Sequence, residues 1–328
     1  MKLPKTVDYS HNVSCIDTEY VRPGLACCYL LRSGERYAFV ECGTSLSVPG
    51  LLGVLKHRGI DREQVAYVMP THVHLDHAGG AGLLMRELPQ AKLVIHPRGA
   101  RHMIDPSKLV GGASSVYGAA NMAKLYGEIV PVAEERVMVA EDGFKLDFSG
   151  RELLFLDAPG HARHHYVIWD AESRGIFAGD VFGISYRESD GPAGPYLLPT
   201  TTPVQFEPEA WNATLERLLK YDPAYVYLTH YGRLGNAQKL ARDLHKGIGA
   251  YVRLAQHHAG AADRHAAIKK AITDHALHEL QAMNCPLSEQ QALTLLEGDM
   301  ELNTQGLEVW LERTVHPDPA ATVQTGKN

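Results

Sequence analysis

The chain has 328 residues, 45% hydrophobic and 21% charged, the balance of a globular protein with room for one large domain or a large one and a small one. Its net charge of -6, with basic residues scattered among acidic ones, gives no electrostatic footprint for nucleic acid. No stretch reaches the roughly 18 to 20 apolar residues of a membrane span, and the N-terminus lacks the apolar core of a signal peptide. The expectation is a cytoplasmic protein with no nucleic-acid or membrane partner. Five cysteines (Cys15, Cys27, Cys28, Cys42 and Cys285) form an odd set without a CxxC, which predicts reduced, mostly buried thiols.

Between residues 10 and 41 the runs LACCYLLR and RYAFVECG, parted by the turn signal SGE, predict an antiparallel start. A helix follows over VPGLLGVLKHRGI, with Pro49 in its first turn and Gly59 past its end, and then a buried strand over VAYVM. Helix AGLLMREL and strand KLVIHP come next, then a helical but Gly- and Ala-rich stretch from Pro97 to Gly127, placed beside a site. Short runs over 136–157 and 165–179 predict a second antiparallel block. Prolines at 192, 195, 199, 203 and 208 predict a long irregular loop. After helix PEAWNATLERLLKY and strand AYVYLTH, the pattern is helical from Asn236 almost to Arg313. The boundary falls near 235: residues 1–235 as a catalytic domain, and 236–328 as a C-terminal helical region ending in a frayed tail, HPDPAATVQTGKN.

The segment MPTHVHLDHAGG, residues 69–80, follows the strand VAYVM. In extended backbone His72 and His74 point to one side and can chelate one ion, whereas Asp76 and His77 fall where the chain turns into a helix and face a neighbouring position. Asp76 alone could be a helix cap and His72 alone a core histidine. Capping and packing do not, however, call for three histidines and an aspartate in six residues. Imidazole and carboxylate are donors that suit Zn²⁺. Further donors stand beside glycines after apolar runs: His161 in DAPGHARHH, Asp180 in FAGD and His230 in YLTHYG. A carboxylate such as Asp180 can bridge two cations. His164 and His165 are expected on a strand surface, and His257, His258, His265, His275 and His278 on solvated helix faces.

HxHxDH, then PGH, GD and TH in that order, resembles the metallo-β-lactamase superfamily across residues 72 to 230. The resemblance implies an α/β fold, a four-layer αββα sandwich with metals at one edge. It implies His72, His74 and His161 on a first metal, Asp76, His77 and His230 on a second, and Asp180 between them. Two divalent ions follow, zinc first, with iron or manganese as alternatives. The helical region after 235 most resembles the hydroxyacylglutathione hydrolase (glyoxalase II) group. The segment VFGISYRESDGPAGPYLLP departs from that group, which carries a glycine-rich stretch with Lys and Tyr for glutathione.

The implied chemistry is hydrolysis of a small-molecule substrate: a metal-held hydroxide attacks a carbonyl, with Asp76 orienting it by a hydrogen bond. A thioester is the first expectation. A lactone or other ester is the second, with Tyr186 or Tyr196 reaching the leaving oxygen. A persulfide dioxygenase with a single iron is the third, and a regulatory protein that keeps fold and metals without hydrolysis the fourth. The helical region could cover the pocket, form a homodimer interface, or do both.

Overall fold

A computed structural model describes residues 3–201 and 204–315. The tail HPDPAATVQTGKN, expected to fray, lies outside these residues. Seven strands make the first sheet in chain order: β1 (Thr6–Tyr9), β2 (Val13–Asp17), β3 (Cys27–Ser33), β4 (Arg36–Val40), β5 (Val65–Met69), β6 (Lys92–Ile95) and β7 (Val137–Val139). Pairing is antiparallel from β1 to β4 and parallel from β4 to β7. Helices α1 (Val48–His57), α2 (Leu75–Ala78), α3 (Ala81–Glu87), α4 (Pro97–Ile104), α5 (Ser107–Tyr117) and α6 (Ala119–Tyr126) lie between β4 and β7 in the chain.

The second sheet has β8 (Lys145–Phe148), β9 (Arg151–Asp157), β10 (Tyr166–Asp170), β11 (Gly175–Gly179), β12 (Tyr225–Leu228) and β13 (Gly232–Gly235), in the order β13-β12-β11-β10-β9-β8. Only β11 and β12 pair in parallel, because helix α7 (Pro208–Leu219) crosses between them. Three long helices close the described chain: α8 (Ala237–His257), α9 (Arg264–Ala282) and α10 (Glu289–Val315).

Period-two alternation builds the layers. Cys15, Tyr29, Ala38, Ile168, Phe177 and Tyr227 point between the sheets and share one core cluster. Their neighbours Ile16, Leu30 and Phe39 face α1, α3 and α4 on the first sheet's outer side. Val167, Ile176 and Val226 pack on the other outer side with residues of α7, α8, α9 and α10, such as Trp211, Leu244, Ile272 and Leu307. The order is helix, sheet, sheet, helix, and the two mixed sheets with a C-terminal helical region are the α/β fold the sequence predicted. A buried ion pair, Arg151 with Asp170, ties these layers at the strand ends away from Asp157 and Tyr166, with Arg151 also donating to the carbonyls of His11 and Arg32.

Three details differ from the sequence reading. Val137–Val139, expected in the antiparallel block, joins the first sheet parallel to β6, since a three-residue run does not encode which sheet it extends. The four-residue edge strands β1 and β13 were not separately anticipated; they carry too few residues for a periodic signal. His265, expected on a solvated face without a partner, donates across to α10, with Glu308 at 2.8 Å and Glu301 at 3.3 Å. Burial of Cys15, Cys27, Cys28 and Cys42 as free thiols agrees with expectation.

Candidate metal centre

Strand β5 ends at Met69, the chain bends at Thr71 and His72, and His74 is extended (φ -60, ψ 147) just before α2 begins. That stretch aims His72 Nε2 and His74 Nδ1 at one point, 2.8 Å apart. Asp76 and His77, within α2, turn to the next position. The second sheet supplies the rest from the ends of β9, β11 and β12: His161 Nε2 lies 3.1 Å from His74 Nδ1. Asp76 Oδ2 lies 3.2 Å from His230 Nε2 and 3.7 Å from His77 Nε2. Two donor groups result, His72, His74, His161 and Asp180 in one, and Asp76, His77 and His230 in the other.

Asp180 faces both groups. Its Oδ2 is 3.5 Å from His161 Nε2, while its Oδ1 is 3.3 Å from His77 Nε2 and 3.8 Å from His230 Nε2. His77 Nε2 and Asp180 Oδ1 are both sealed from solvent and neither makes a hydrogen bond. Buried polar atoms without partners are costly, and a cation between them removes the cost. The orphaned atoms and the imidazole and carboxylate donors therefore fit divalent metal.

Backbone and side-chain acceptors select the ring nitrogen that faces inward. His161 Nδ1 donates to the Thr200 carbonyl at 2.9 Å, and His230 Nδ1 to the Leu25 carbonyl at 2.8 Å. His77 Nδ1 donates to Glu41 Oε1 at 3.0 Å. Glu41 closes β4 and is 1% exposed. It also accepts from Thr71 N at 3.0 Å, from Thr71 Oγ1 at 2.5 Å and from Thr229 Oγ1 at 3.0 Å, joining both sheets under the site.

Electrostatics separate the two groups. Burial holds His72, His74 and His161 below the usual histidine range, His74 at about 3, so these rings are neutral donors. Burial would also depress His77 and His230, but the carboxylates win. Asp180, Glu41 and Asp76 carry His77 well up, and Asp180 and Asp76 carry His230 to about 9. Burial pushes Asp180 upward, yet His77, His230 and His161 together hold it well below the carboxylate range. Two buried carboxylates, Glu41 and Asp180, and the half-buried Asp76 about this group demand positive charge, which protons or metal can supply.

Two glycines admit the close packing. Gly160 (φ 134) precedes His161, and a Cβ there would lie 2.3 Å from Trp211 Cβ and 2.4 Å from Trp211 Cα. Gly179 (φ 50) precedes Asp180, and a Cβ there would lie 2.4 Å from Thr71 Oγ1 and 2.5 Å from His165 Nε2. Trp211 of α7 donates from Nε1 to the Val181 carbonyl at 2.6 Å, linking the His161 turn to the chain after Asp180.

The seven ligand candidates converge; the tyrosines stand apart from them. Tyr186 donates its hydroxyl to Asp299 of α10 at 3.0 Å, beneath the Arg22 guanidinium at 4.8 Å. Tyr196 is buried in the core cluster shared with the C-terminal helices. His164 and His165, expected at the surface, lie inward. His165 is 0% exposed and accepts the Asp180 N–H at 3.2 Å, and His164 is half-buried, stacked 6.0 Å from His72. The chain between Ala158 and His165 is a loop, so strand alternation does not govern them. The sequence reading also missed Glu41 and Trp211, although the glycine two residues after Glu41 and the apolar run Ala38–Val40 before it were signals of a buried strand end.

Residues 21–230 match the family model described as the metallo-beta-lactamase superfamily, and the chain belongs to that superfamily. The protein is similar to the metallo-beta-lactamase fold-containing protein ST1585 of Sulfurisphaera tokodaii, 24% identical over 229 residues, covering 68% of this chain and 78% of the relative. The crystal structure of that archaeal protein superposes with a TM-score of 0.62 at 20% identity, covering 91% of this chain and 99% of the other. The metallo-beta-lactamase family protein TTHA1429 of Thermus thermophilus gives a TM-score of 0.61 at 17% identity over 95% and 93% of the two chains. Acyl-coenzyme A thioesterase MBLAC2 of Bos taurus is 26% identical over 171 residues, 47% of this chain and 57% of its own length. Among the described residues no helix is long and apolar enough to cross a membrane. Fold and donor clusters together support a metal-dependent hydrolase.

Proposed function

We propose that the protein hydrolyses a thioester in a small-molecule substrate, using two divalent ions, zinc first. The observation that carries this reading is Asp180, which turns one oxygen to each donor group. Ions held by these residues would supply Lewis-acid chemistry, lowering the pKa of bound water from 15.7 towards ~7 and polarising a carbonyl. The protein's own residues prepare that event. His72, His74 and His161 bind as neutral rings, Asp180 spans the two positions, and Glu41 with the Thr200 and Leu25 carbonyls fixes ring orientation. Of the seven donors, His74 and Asp76 are not fully buried, so substrate enters on their side. Asp76 commits Oδ2 to His77 and His230, which leaves Oδ1 to accept a hydrogen bond from water at that mouth and orient it.

The thioester is supported by the similarity to a protein named as an acyl-coenzyme A thioesterase. The lactone or ester reading has less behind it, because the Tyr186 hydroxyl is engaged by Asp299 and Tyr196 is packed in the core. Elemental analysis of the purified protein, with turnover of thioesters, lactones, phosphodiesters and a persulfide, tests the proposal. Two bound metals with thioester cleavage, both reduced in His72→Ala and Asp180→Ala, are expected. A single iron with oxygen uptake on persulfide, or wild-type turnover in either variant, would overturn it.

A further inference from the structure

The peptide group between Thr200 and Thr201 is gripped from both ends. Its carbonyl accepts His161 Nδ1 at 2.9 Å, and its N–H donates to Asn303 Oδ1 at 2.6 Å. A peptide is planar and trans, so these two atoms point in opposite directions and rotate as one body. Asn303 lies on α10, 102 residues beyond Thr201, and is 1% exposed. Its neighbours along the helix, Met300 and Leu307, belong to the apolar core. A buried amide in such surroundings is costly unless its acceptor is used. Here it is used on the peptide that orients a metal-ligand candidate.

We propose that Asn303 is a positioning residue for the metal centre: by holding the Thr201 N–H it sets the direction of the Thr200 carbonyl, which keeps His161 with Nε2 turned to the first donor group. This rests on the metal-binding reading above. The loop around Thr200 is otherwise irregular, so no sheet ladder fixes this carbonyl. An acceptor on the N–H also polarises the same peptide and strengthens its carbonyl as an acceptor. The Thr200 hydroxyl, donating to the Asp180 carbonyl at 3.3 Å, brings the same residue against the bridging position. The last long helix thus reaches the metal centre through one rigid amide.

Thr201 Oγ1 reaches the Asn303 main-chain carbonyl and side-chain oxygen, each at 3.0 Å, so this hydroxyl belongs to the same grip. A neighbouring residue on α10 offers the contrast that a test needs. Thr304, next along α10 and fully buried, donates only to the Met300 carbonyl of its own helix, at 2.7 Å.

The experiment measures Zn²⁺ dissociation constants by competition with a chromophoric chelator, the visible spectrum of the Co²⁺ form, and the melting temperature, all on the full chain. Asn303→Ala should weaken Zn²⁺ binding by about 10-fold, the low end of the cost of losing a direct partner of a metal-ligating histidine because Asn303 acts one bond further out, and alter the Co²⁺ spectrum. Thr304→Val should lower the melting temperature while leaving Zn²⁺ affinity and spectrum at wild-type values. Wild-type affinity and spectrum in Asn303→Ala would overturn the proposal, as would an equal loss of affinity in Thr304→Val. A wild-type chain that binds neither Zn²⁺ nor Co²⁺ would instead sink the hydrolase reading beneath it.

Discussion

Glu41 and His77, 36 positions apart, meet at 3.0 Å with both side chains closed to solvent. The carboxylate accepts from His77, from Thr71 twice and from Thr229, so its oxygens are fully used. Glu41→Gln keeps the shape but turns an amide N–H₂ toward groups that are themselves donors. Metal affinity should fall by roughly 10- to 100-fold. Metal stoichiometry after dialysis and turnover at saturating metal would check it. Unchanged retention would show that His77 needs no such partner.

Gly160→Ala places a methyl group inside the Trp211 backbone and side chain. Since Gly160 also occupies φ 134, conformation and space oppose the change together. The turn must move, and His161 moves with it. Loss of folded yield, or folded protein with depleted metal, is the expected outcome in expression and elemental assays.

The Arg151–Asp170 pair lies away from the chemistry and is fully buried. Arg151→Ala leaves the Asp170 carboxylate without its cation, which should cost about 3–5 kcal/mol in urea unfolding. Arg151→Met combined with Asp170→Leu should recover much of that loss, because the stranded charge is removed with its partner. Both variants should retain metal.

Burial raises Asp299 to about 6, against 3.8 for the free side chain, although the Tyr186 hydroxyl favours its charged form. The folded state therefore holds the proton more tightly. Its stabilising contribution is complete below 3.8 and is lost as pH rises through 6. Asp299→Asn keeps an acceptor for Tyr186 and removes the half-buried charge. It should raise the melting temperature by a few degrees near pH 8 and leave it unchanged near pH 4. An equal shift at both pH values would refute the assignment.

The ligand candidates were legible because sequence order and strand ends repeat the same context around His72, His161, Asp180 and His230, with glycines close to the last three. The sandwich was legible at lower resolution. Apolar runs locate β3, β4, β5 and β12, whereas the three residues of β7 carry no sign of which sheet they join. Glu41 was illegible because a single acid after a strand looks the same whether it faces water or a histidine 36 residues on. Asn303 was hidden differently. On a helical stripe it reads as one more polar position, and only folding brings it against Thr201. Partners of partners depend on tertiary proximity, which local periodicity does not encode.

Four of the seven donors ride on the first sheet's edge and three on the second's, with Asp180 facing both groups. Sliding the sheets apart would therefore divide the donor set, and any ligand that binds only the joined arrangement adds its binding energy to folding. The centre is a rivet as well as a reactor. Starving the protein of metal should lower its melting temperature along with its turnover, and readmitting metal should restore both. In a cell, the standing amount of folded chain would then act as a gauge of metal supply.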